Sequence, residues 1–306
     1  MNELNTETKT VFLETGEKKT LAALQYAVER DLEGPNFEAK ISLDYQNQRI
    51  RVLDYEGKNL KELVLNLREL AEKNQFDKII FMAKEDDWES FLTHGYNLEA
   101  IIKYYHQGEN AYVMSKFRSQ ERLTSPKQMD ETLLIETLME NPPQVNHQSL
   151  PEGHEIRLAT REEIPALAKL YGRVFESYPT PLGHTEYIEK VFEVSSLFSV
   201  VTYEGEIVAA ASAEFLSKLK SAEITDCATH PDHRKKGLMT VIVQFLEDEL
   251  RKRDYICSFS MARAKSYGMN QIFYNLNYQY MGRLINQCDI FGDFEDMNIW
   301  AKKLRK

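Results

Sequence analysis

The stretch that most constrains this chain is SAEITDCATHPDHRKKGLMTVIVQFLEDELRKR, residues 221–253. It reads as a β-strand, a tight basic turn holding one glycine, and a long amphipathic helix. The first amides of such a helix have no intrahelical acceptor, and the helix dipole favours negative charge beside them, so the turn suits an anion such as a pyrophosphate. His233, Arg234, Lys235 and Lys236 concentrate positive charge at the same place. A surface turn that merely closes a strand–helix unit would show the same basic residues; the context on either side favours an anion site.

The 306 residues allow one large or two modest domains, and 42% hydrophobic with 28% charged residues are enough to build a core and keep it in solution. Lys and Arg number 38 against 48 Asp and Glu, a net charge of −10, which disfavours nucleic acid as the main partner. A basic turn in an acidic protein points to a small anionic ligand. No run of 18 apolar residues predicts a membrane span, and MNELNTETKT lacks the basic-then-apolar pattern of a signal peptide. Cys227, Cys257 and Cys288 are odd in number and far apart, which fits a reducing cytoplasm and no disulfide framework. No cysteine pair has zinc-site spacing, and His230 and His233 lack further ligands nearby, so no metal is expected.

The expected fold class is α/β, a mixed central sheet flanked by helices, with a smaller N-terminal α/β domain. Residues 1–117 form the first zone, with a strand at 49–54, a helix at 59–73, strands at 78–83, 97–105 and 111–117, and a short helix at 87–93. In the longer helix Leu60, Leu63, Val64, Leu67, Leu70 and Ala71 recur at three- and four-residue steps and give one apolar face. Residues 118–153 are punctuated by Ser125-Pro126, Asn141-Pro142-Pro143 and Pro151 and read as a linker with one helix at 129–139. Residues 154–306 form the third zone. A strand at 156–159 leads to Thr160-Arg-Glu-Glu163, a capping box that starts a helix to about Val174. A second helix at 185–193, a hairpin at 197–203 and 206–215, a strand at 222–229 and a helix at 240–253 follow. A strand at 256–262, a short helix at 269–275 and strands at 278–286 and 296–301 complete the zone. The first and third zones share an order of elements, and FLTHGY at 91–96 aligns with FYNLNY at 273–278. Any two α/β segments share such an order; if the repeat is real, the first copy, which has no Arg-x-x-Gly turn and carries Leu92 in the place of Tyr274, is a structural or dimerising half, which leaves a homodimer open.

The third zone resembles the GCN5-related N-acetyltransferase (GNAT) superfamily. Its order of strand, two helices, three antiparallel strands, helix, strand, helix and two strands is that of the family, and Arg234-Lys-Lys-Gly237-Leu-Met239 fits the first two fixed positions of the signature Gln/Arg-x-x-Gly-x-Gly/Ala. Met239 departs from the small residue usual at the last position. A narrower resemblance covers nearly the whole chain. The runs Met261-Ala-Arg-Ala-Lys-Ser-Tyr-Gly-Met-Asn270, Gly282-Arg-Leu-Ile-Asn286 and Glu295-Asp-Met-Asn-Ile-Trp300 look like those of β-lysine N-acetyltransferases. That resemblance implies acetyl transfer from acetyl-CoA to the N6 amine of β-lysine, a small-molecule acceptor whose product is a compatible solute in some members. It also implies a two-part protein whose C-terminal half is the acetyltransferase; the first half would be a degenerate copy of it only if the internal repeat is real.

The chemistry needs an anchored thioester, a neutral amine and a proton for the leaving thiolate. Arg234, Lys235, Lys236, Gly237, Leu238 and Met239 are expected to bind the cofactor, with Cys227, Ala228 and Thr229 at the strand end and Asn270, with Ser266, beside the pantetheine arm. A lysine-like ammonium has a pKa of about 10.4, so roughly 10⁻³ of it is neutral at pH 7 and a base is needed. Glu223 sits where related enzymes carry a glutamate base, and Asp226 is the alternative, as base or as partner of a substrate ammonium. Three apart on a strand, the two are expected to face opposite sides, so that only one lines the cleft. Tyr274, where many members place a tyrosine, is the expected acid. Direct attack in a ternary complex is expected, since a strand cysteine such as Cys227 is more often a small buried hydrophobe than an acetyl carrier. Arg263, Arg283, Asn286 and Asn298 are expected around the acceptor, arginine being suited to a carboxylate. The loop 178–183 is expected to shape the acceptor pocket. Two other readings stand beside this one: a non-catalytic acetyl-CoA-binding regulatory module, and an acetyltransferase of a protein or aminoglycoside amine. The pairing of Glu223 with Tyr274 favours an enzyme.

Overall fold

The computed structural model describes residues 9–12, 18–21, 27–57, 60–144, 149–175, 178–290 and 292–305. Residues 1–8, read above for a leader, and Lys58 and Asn59 lie outside that set. In chain order the strands and helices are β1 (Lys9–Phe12), β2 (Lys18–Leu21), β3 (Ala27–Gly34), β4 (Phe37–Asp44), β5 (Arg49–Gly57), α1 (Leu60–Asn74), β6 (Lys78–Ala83), α2 (Trp88–Thr93), β7 (Asn97–His106) and β8 (Glu109–Phe117). Two helices, α3 (Gln120–Leu123) and α4 (Gln128–Met139), come next. The remainder comprises β9 (His154–Leu158), α5 (Ile164–Val174), α6 (Thr185–Val191), β10 (Ser196–Tyr203), β11 (Glu206–Leu216), β12 (Ser221–Thr229), α7 (Leu238–Lys252), β13 (Cys257–Arg263), α8 (Tyr267–Asn275), β14 (Gln279–Ile290) and β15 (Asp293–Lys303). Two compact units result. Unit 1 is Met1–Ile101, Ala111–Ser125 and Ile285–Glu295; unit 2 is Ile102–Asn110, Pro126–Leu284 and Asp296–Lys306.

In unit 1 the strands β3, β4, β5, β6 and β8 lie side by side in that order. The β5–β6 pair is parallel, and α1 makes the connection between them. The apolar stripe of α1 (Leu60, Leu63, Leu67, Leu70 and Ala71) packs on Ile41, Ile50, Val52, Ile79 and Phe81 of the sheet. The strands β3 and β4 were not among those expected. Their residues alternate, with Phe37, Ala39, Ile41 and Leu43 buried and Glu38 and Lys40 exposed, a period of two that the many charges obscure. With them included, the order strand, strand, strand, helix, strand, helix, strand, strand occurs from β3 to β8 and again from β10 to β15.

Unit 2 carries the strand order β15-β13-β12-β11-β10-β9. On one face α7 lays Leu238, Ile242, Val243, Leu246 and Leu250 against Ala209, Ala211, Ala213, Ala222 and Ile224. The row of alanines keeps this sheet face low, which lets the bulky residues of α7 sit close to the backbone. On the other face Leu167 and Tyr171 of α5 and Ile188 of α6 meet Val200, Ala210 and Ala228. The start of α5 is fixed as read: Glu163 accepts the Thr160 amide at 2.9 Å in a capping box, and Arg157 grips the same carboxylate with two bonds of 2.7 Å. That arginine holds the Glu163 carboxyl below its usual range. From the linker stretch, α4 places Ile135 and Leu138 in the core that α7 shares.

Candidate active site

At the end of β12 the chain makes a short 3₁₀ turn, Pro231–His233, and then enters α7 through Gly237. Lys235 and Gly237 adopt left-handed backbone angles, with φ of 62° and 75°. For Gly237, the N-cap of α7, a residue without Cβ meets that requirement without strain. The first backbone bond of the helix runs from the Val241 amide to the Gly237 carbonyl, and the amides of residues 235–240 find no acceptor among the described residues. No acidic residue stands in the first turn of α7. The Arg234 Nε donates to the Thr229 carbonyl at 3.3 Å, which ties the arginine back to the strand end. Met239, the departure from a small residue, is buried with the α7 core.

Next to the turn, the sheet opens. β12 and β13 pair only from Ser221↔Cys257 to Glu223↔Phe259, and beyond Glu223 they have no ladder between them. β13 stays paired with β15 through Arg263, and β12 with β11 through Thr229. The facing edges of residues 224–229 and 260–262 have no ladder between them and leave room for an extended ligand arm carrying amides. The amide turn lies at one end of that opening and Glu223 at its vertex, a layout that fits a pantetheine thioester whose pyrophosphate is gripped by α7.

The expectation that Glu223 and Asp226 face opposite sides is corrected here. The β11–β12 register shifts between Ala210↔Ala228 and Ser212↔Thr225, so β12 carries an extra residue, and Asp226 sits in this bulge with φ of 56°. Glu214↔Glu223 and Ser212↔Thr225 are cross-strand partners, so all four side chains share a face, the one turned away from α7. The Ser212 hydroxyl donates to Asp226 Oδ2 at 2.6 Å and draws that carboxylate onto the same face. Strict alternation fails because the bulge resets the phase. Burial pushes the Asp226 carboxyl up to about 6, an effect the Ser212 hydrogen bond opposes and the Glu214 charge reinforces.

Cys227 packs with the α7 core, and burial, with the Asp226 and Glu223 charges adding to it, raises its thiol far above the ordinary value. A thiol so protonated is a poor nucleophile. Mixing the protein with acetyl-CoA and no acceptor is therefore expected to leave Cys227 unacetylated in intact and peptide mass spectra; a +42 Da adduct on that residue would reinstate a covalent route.

Tyr274 projects from α8 and donates its hydroxyl to the Asn141 carbonyl at 2.7 Å, with its ring 6.3 Å from that of Trp300. Asn270, expected beside the cofactor, is instead a fully buried hub. Its amide nitrogen donates to the carbonyls of Arg263, Ala264 and Ser266, and its oxygen accepts from Asn298 Nδ2 at 2.9 Å and Trp300 Nε1 at 2.8 Å. Every polar atom of the side chain is committed to the fold, which leaves nothing for a ligand. Asn286 is likewise corrected. It belongs to unit 1, and its amide donates to the Glu121, Arg122 and Thr124 carbonyls. Arg283 is nearly buried and bonded to Asn298, Gln128 and Thr132, with Glu131 at 3.8 Å. Arg263 ends β13 half-buried at the opening. Sequence reading missed Glu214, Ser212 and Tyr171, whereas Tyr178 begins the loop 178–183 expected at the acceptor pocket. The legible signal was a lone carboxylate in the run AAASAEF, where every neighbour on the strand is small or apolar.

Residues 164–269, from the start of α5 into α8, match the Acetyltransferase (GNAT) family. The chain belongs to this family: it is an N-acetyltransferase, and acetyl-CoA is its acetyl donor. It is 35% identical over 266 residues to N-acetyltransferase YodP of Bacillus subtilis, covering 87% of this chain and 96% of that protein. It is 33% identical over 272 residues to beta-lysine N(6)-acetyltransferase of Methanosarcina mazei, covering 82% of this chain and all (100%) of that protein. Among solved structures, the ribosomal-protein-S18-alanine N-acetyltransferase of Escherichia coli aligns with 50% of this chain and 95% of its own, at 20% identity and a TM-score of 0.45. Among the described residues no group of three or more His, Cys, Asp or Glu side chains is placed to hold a metal, and no helix is long and apolar enough to cross a membrane.

Proposed function

We propose that this enzyme acetylates the N6 amine of β-lysine, by direct attack within a ternary complex. The observation that carries the reading is the placement of Glu223 at the vertex where β12 and β13 part, on one face with Asp226. When bound, acetyl-CoA supplies the activated carbonyl and the thiolate leaving group. Glu223 accepts the proton of the attacking ammonium, directly or through one water, and so raises the neutral fraction above the roughly 10⁻³ present in bulk at pH 7. The amides of 235–240, which have no acceptor among the described residues, hold the pyrophosphate with Lys235 and Lys236. Tyr274 holds the one hydroxyl proton that this assignment offers to the thiolate, and it must turn from Asn141 to give it. The acceptor identity is supported by the name of the Methanosarcina mazei relative. The charge change suits the product: β-lysine carries two ammonium groups and one carboxylate, and acetylating one amine leaves a net-neutral zwitterion, the charge state of a compatible solute. Three free cysteines fit action in a reducing cytoplasm.

Equimolar β-lysine and α-lysine competing for limiting acetyl-CoA, with products resolved by tandem mass spectrometry, test this. N6-acetyl-β-lysine is expected to dominate. Dominant acetyl-α-lysine, or no acetylated amino acid beside hydrolysed acetyl-CoA, would overturn the acceptor assignment.

A further inference from the structure

The face that holds Glu223 has a second acidic position that the transfer of one proton does not use. Asp226, lifted by the bulge, lies beside Ser212, with the Tyr178 and Thr225 hydroxyls as further hydrogen-bond partners and the Glu214 charge within reach. Above it, Tyr171 of α5 is fully buried, and its hydroxyl has no hydrogen-bond partner among the described residues. That hydroxyl is close enough to Asp226 for the carboxylate charge to raise it further than burial alone. Thr180, on the loop between α5 and α6, also has a buried hydroxyl oxygen with no partner. A buried hydroxyl without a partner is unfavourable by about 1–3 kcal/mol, so the Tyr171 phenol beside this carboxylate is accounted for if a ligand donor or acceptor completes it. Asp226 and Glu214 form no ion pair among the described residues, and burial holds the Asp226 carboxyl above its ordinary value, as expected of an anion that lacks its cation.

We infer that Asp226, with Glu214, Tyr171 and Tyr178 around it, binds the ammonium of the acceptor that does not react, so that the enzyme selects acceptors with two positive nitrogens. This deepens the β-lysine reading and rests on it for the identity of the reacting amine. The spacing agrees. Residues 223 and 226 are separated by about 10 Å along an extended strand, less at a bulge. A four-carbon spacer sets two nitrogens about 6 Å apart, and a contact of about 2.9 Å at each end lets one molecule reach both carboxylates. Glu223 then serves the nitrogen that attacks and Asp226 the one that stays charged.

The test compares two matched pairs of acceptors, β-lysine against 6-aminohexanoate and putrescine against butylamine, in the full-length enzyme. Each pair differs by the second amine. Wild type is expected to prefer the diamine in each pair by about 10- to 100-fold in kcat/KM, the preference lying in KM. Asp226→Asn, which keeps a side chain tolerant of positive φ, is expected to collapse that ratio toward one. Tyr171→Phe, which keeps the ring in the core, is expected to lower it about 3- to 10-fold. A ratio that survives both substitutions, including one in which all four acceptors lose rate equally, overturns the assignment. If wild type prefers putrescine to butylamine and Asp226→Asn abolishes that, yet β-lysine is not acetylated, the β-lysine reading fails and this one stands. If β-lysine is acetylated and the variants discriminate as wild type does, the reverse holds.

Discussion

Gly237→Asp is expected to abolish measurable acetyl-CoA binding, raising Kd by at least about 100-fold. Gly237 is the N-cap of α7 in a left-handed conformation, at the centre of the amides of 235–240 that have no acceptor of their own. Aspartate tolerates that backbone region better than most residues, so the helix start survives the change. What the substitution adds is a carboxylate where the proposed site would hold a pyrophosphate. Two unit charges 4 Å apart near a protein surface repel by about 4 kcal/mol, and the new side chain also satisfies the amides that the ligand needs. Gly237→Asn separates the two contributions. It carries a similar backbone burden and a similar capping oxygen but no charge, so it should weaken binding by an intermediate amount. Titration calorimetry with CoA measures both. Unchanged CoA affinity in Gly237→Asp would remove the turn from the cofactor site, and every role assigned around it.

How far the chain could be read differs between its parts, for physical reasons. Elements whose pattern is local were legible. The Thr160–Glu163 capping box, the Glu204-Gly205 hairpin and the apolar stripes of α1 and α7 each depend on residues within a turn or two of one another. The strand, the turn at Gly237 and the helix after it were legible for the same reason: they are contiguous in sequence. What could not be read was anything set by a partner strand. The bulge at Asp226 exists in the register against β11, and one extra residue there reverses the face on which a strict alternation places the carboxylate. Asn270 shows the same limit from the other side. Its type and its position near the start of the α8 helix suit a ligand contact, and only the arrival of Asn298 and Trp300 from β15 shows that its donors and acceptors are already used. Asn286, too, closes on carbonyls more than 160 positions away in sequence. The strands β3 and β4 belong to a different class of miss: their alternation was present, but charged residues on the exposed face diluted it.

Glu223→Gln is expected to lower kcat by about 10²–10⁴ at pH 7, with the defect shrinking as pH rises. The substitution keeps the size and hydrogen-bonding reach of the side chain at the strand vertex and removes its ability to take a proton. Without a base, the variant depends on amine already neutral in solution, which grows about tenfold per pH unit up to a pKa near 10.4. Wild type gains less over the same range, because its amine is deprotonated within the complex, so the two rates converge toward pH 10. Saturating acceptor and a pre-steady-state measurement keep product release from hiding the chemical step. Asp226, on the same face and titrating near 6, supplies the competing outcome. If it were the base, Glu223→Gln would keep a rate close to wild type, and activity would fall below about pH 6 as that carboxyl takes up its proton. A large defect that stays constant with pH would instead mean that Glu223 only positions the acceptor. The sloped defect alone places the proton on Glu223, because only the loss of a base is repaired by raising the supply of neutral amine.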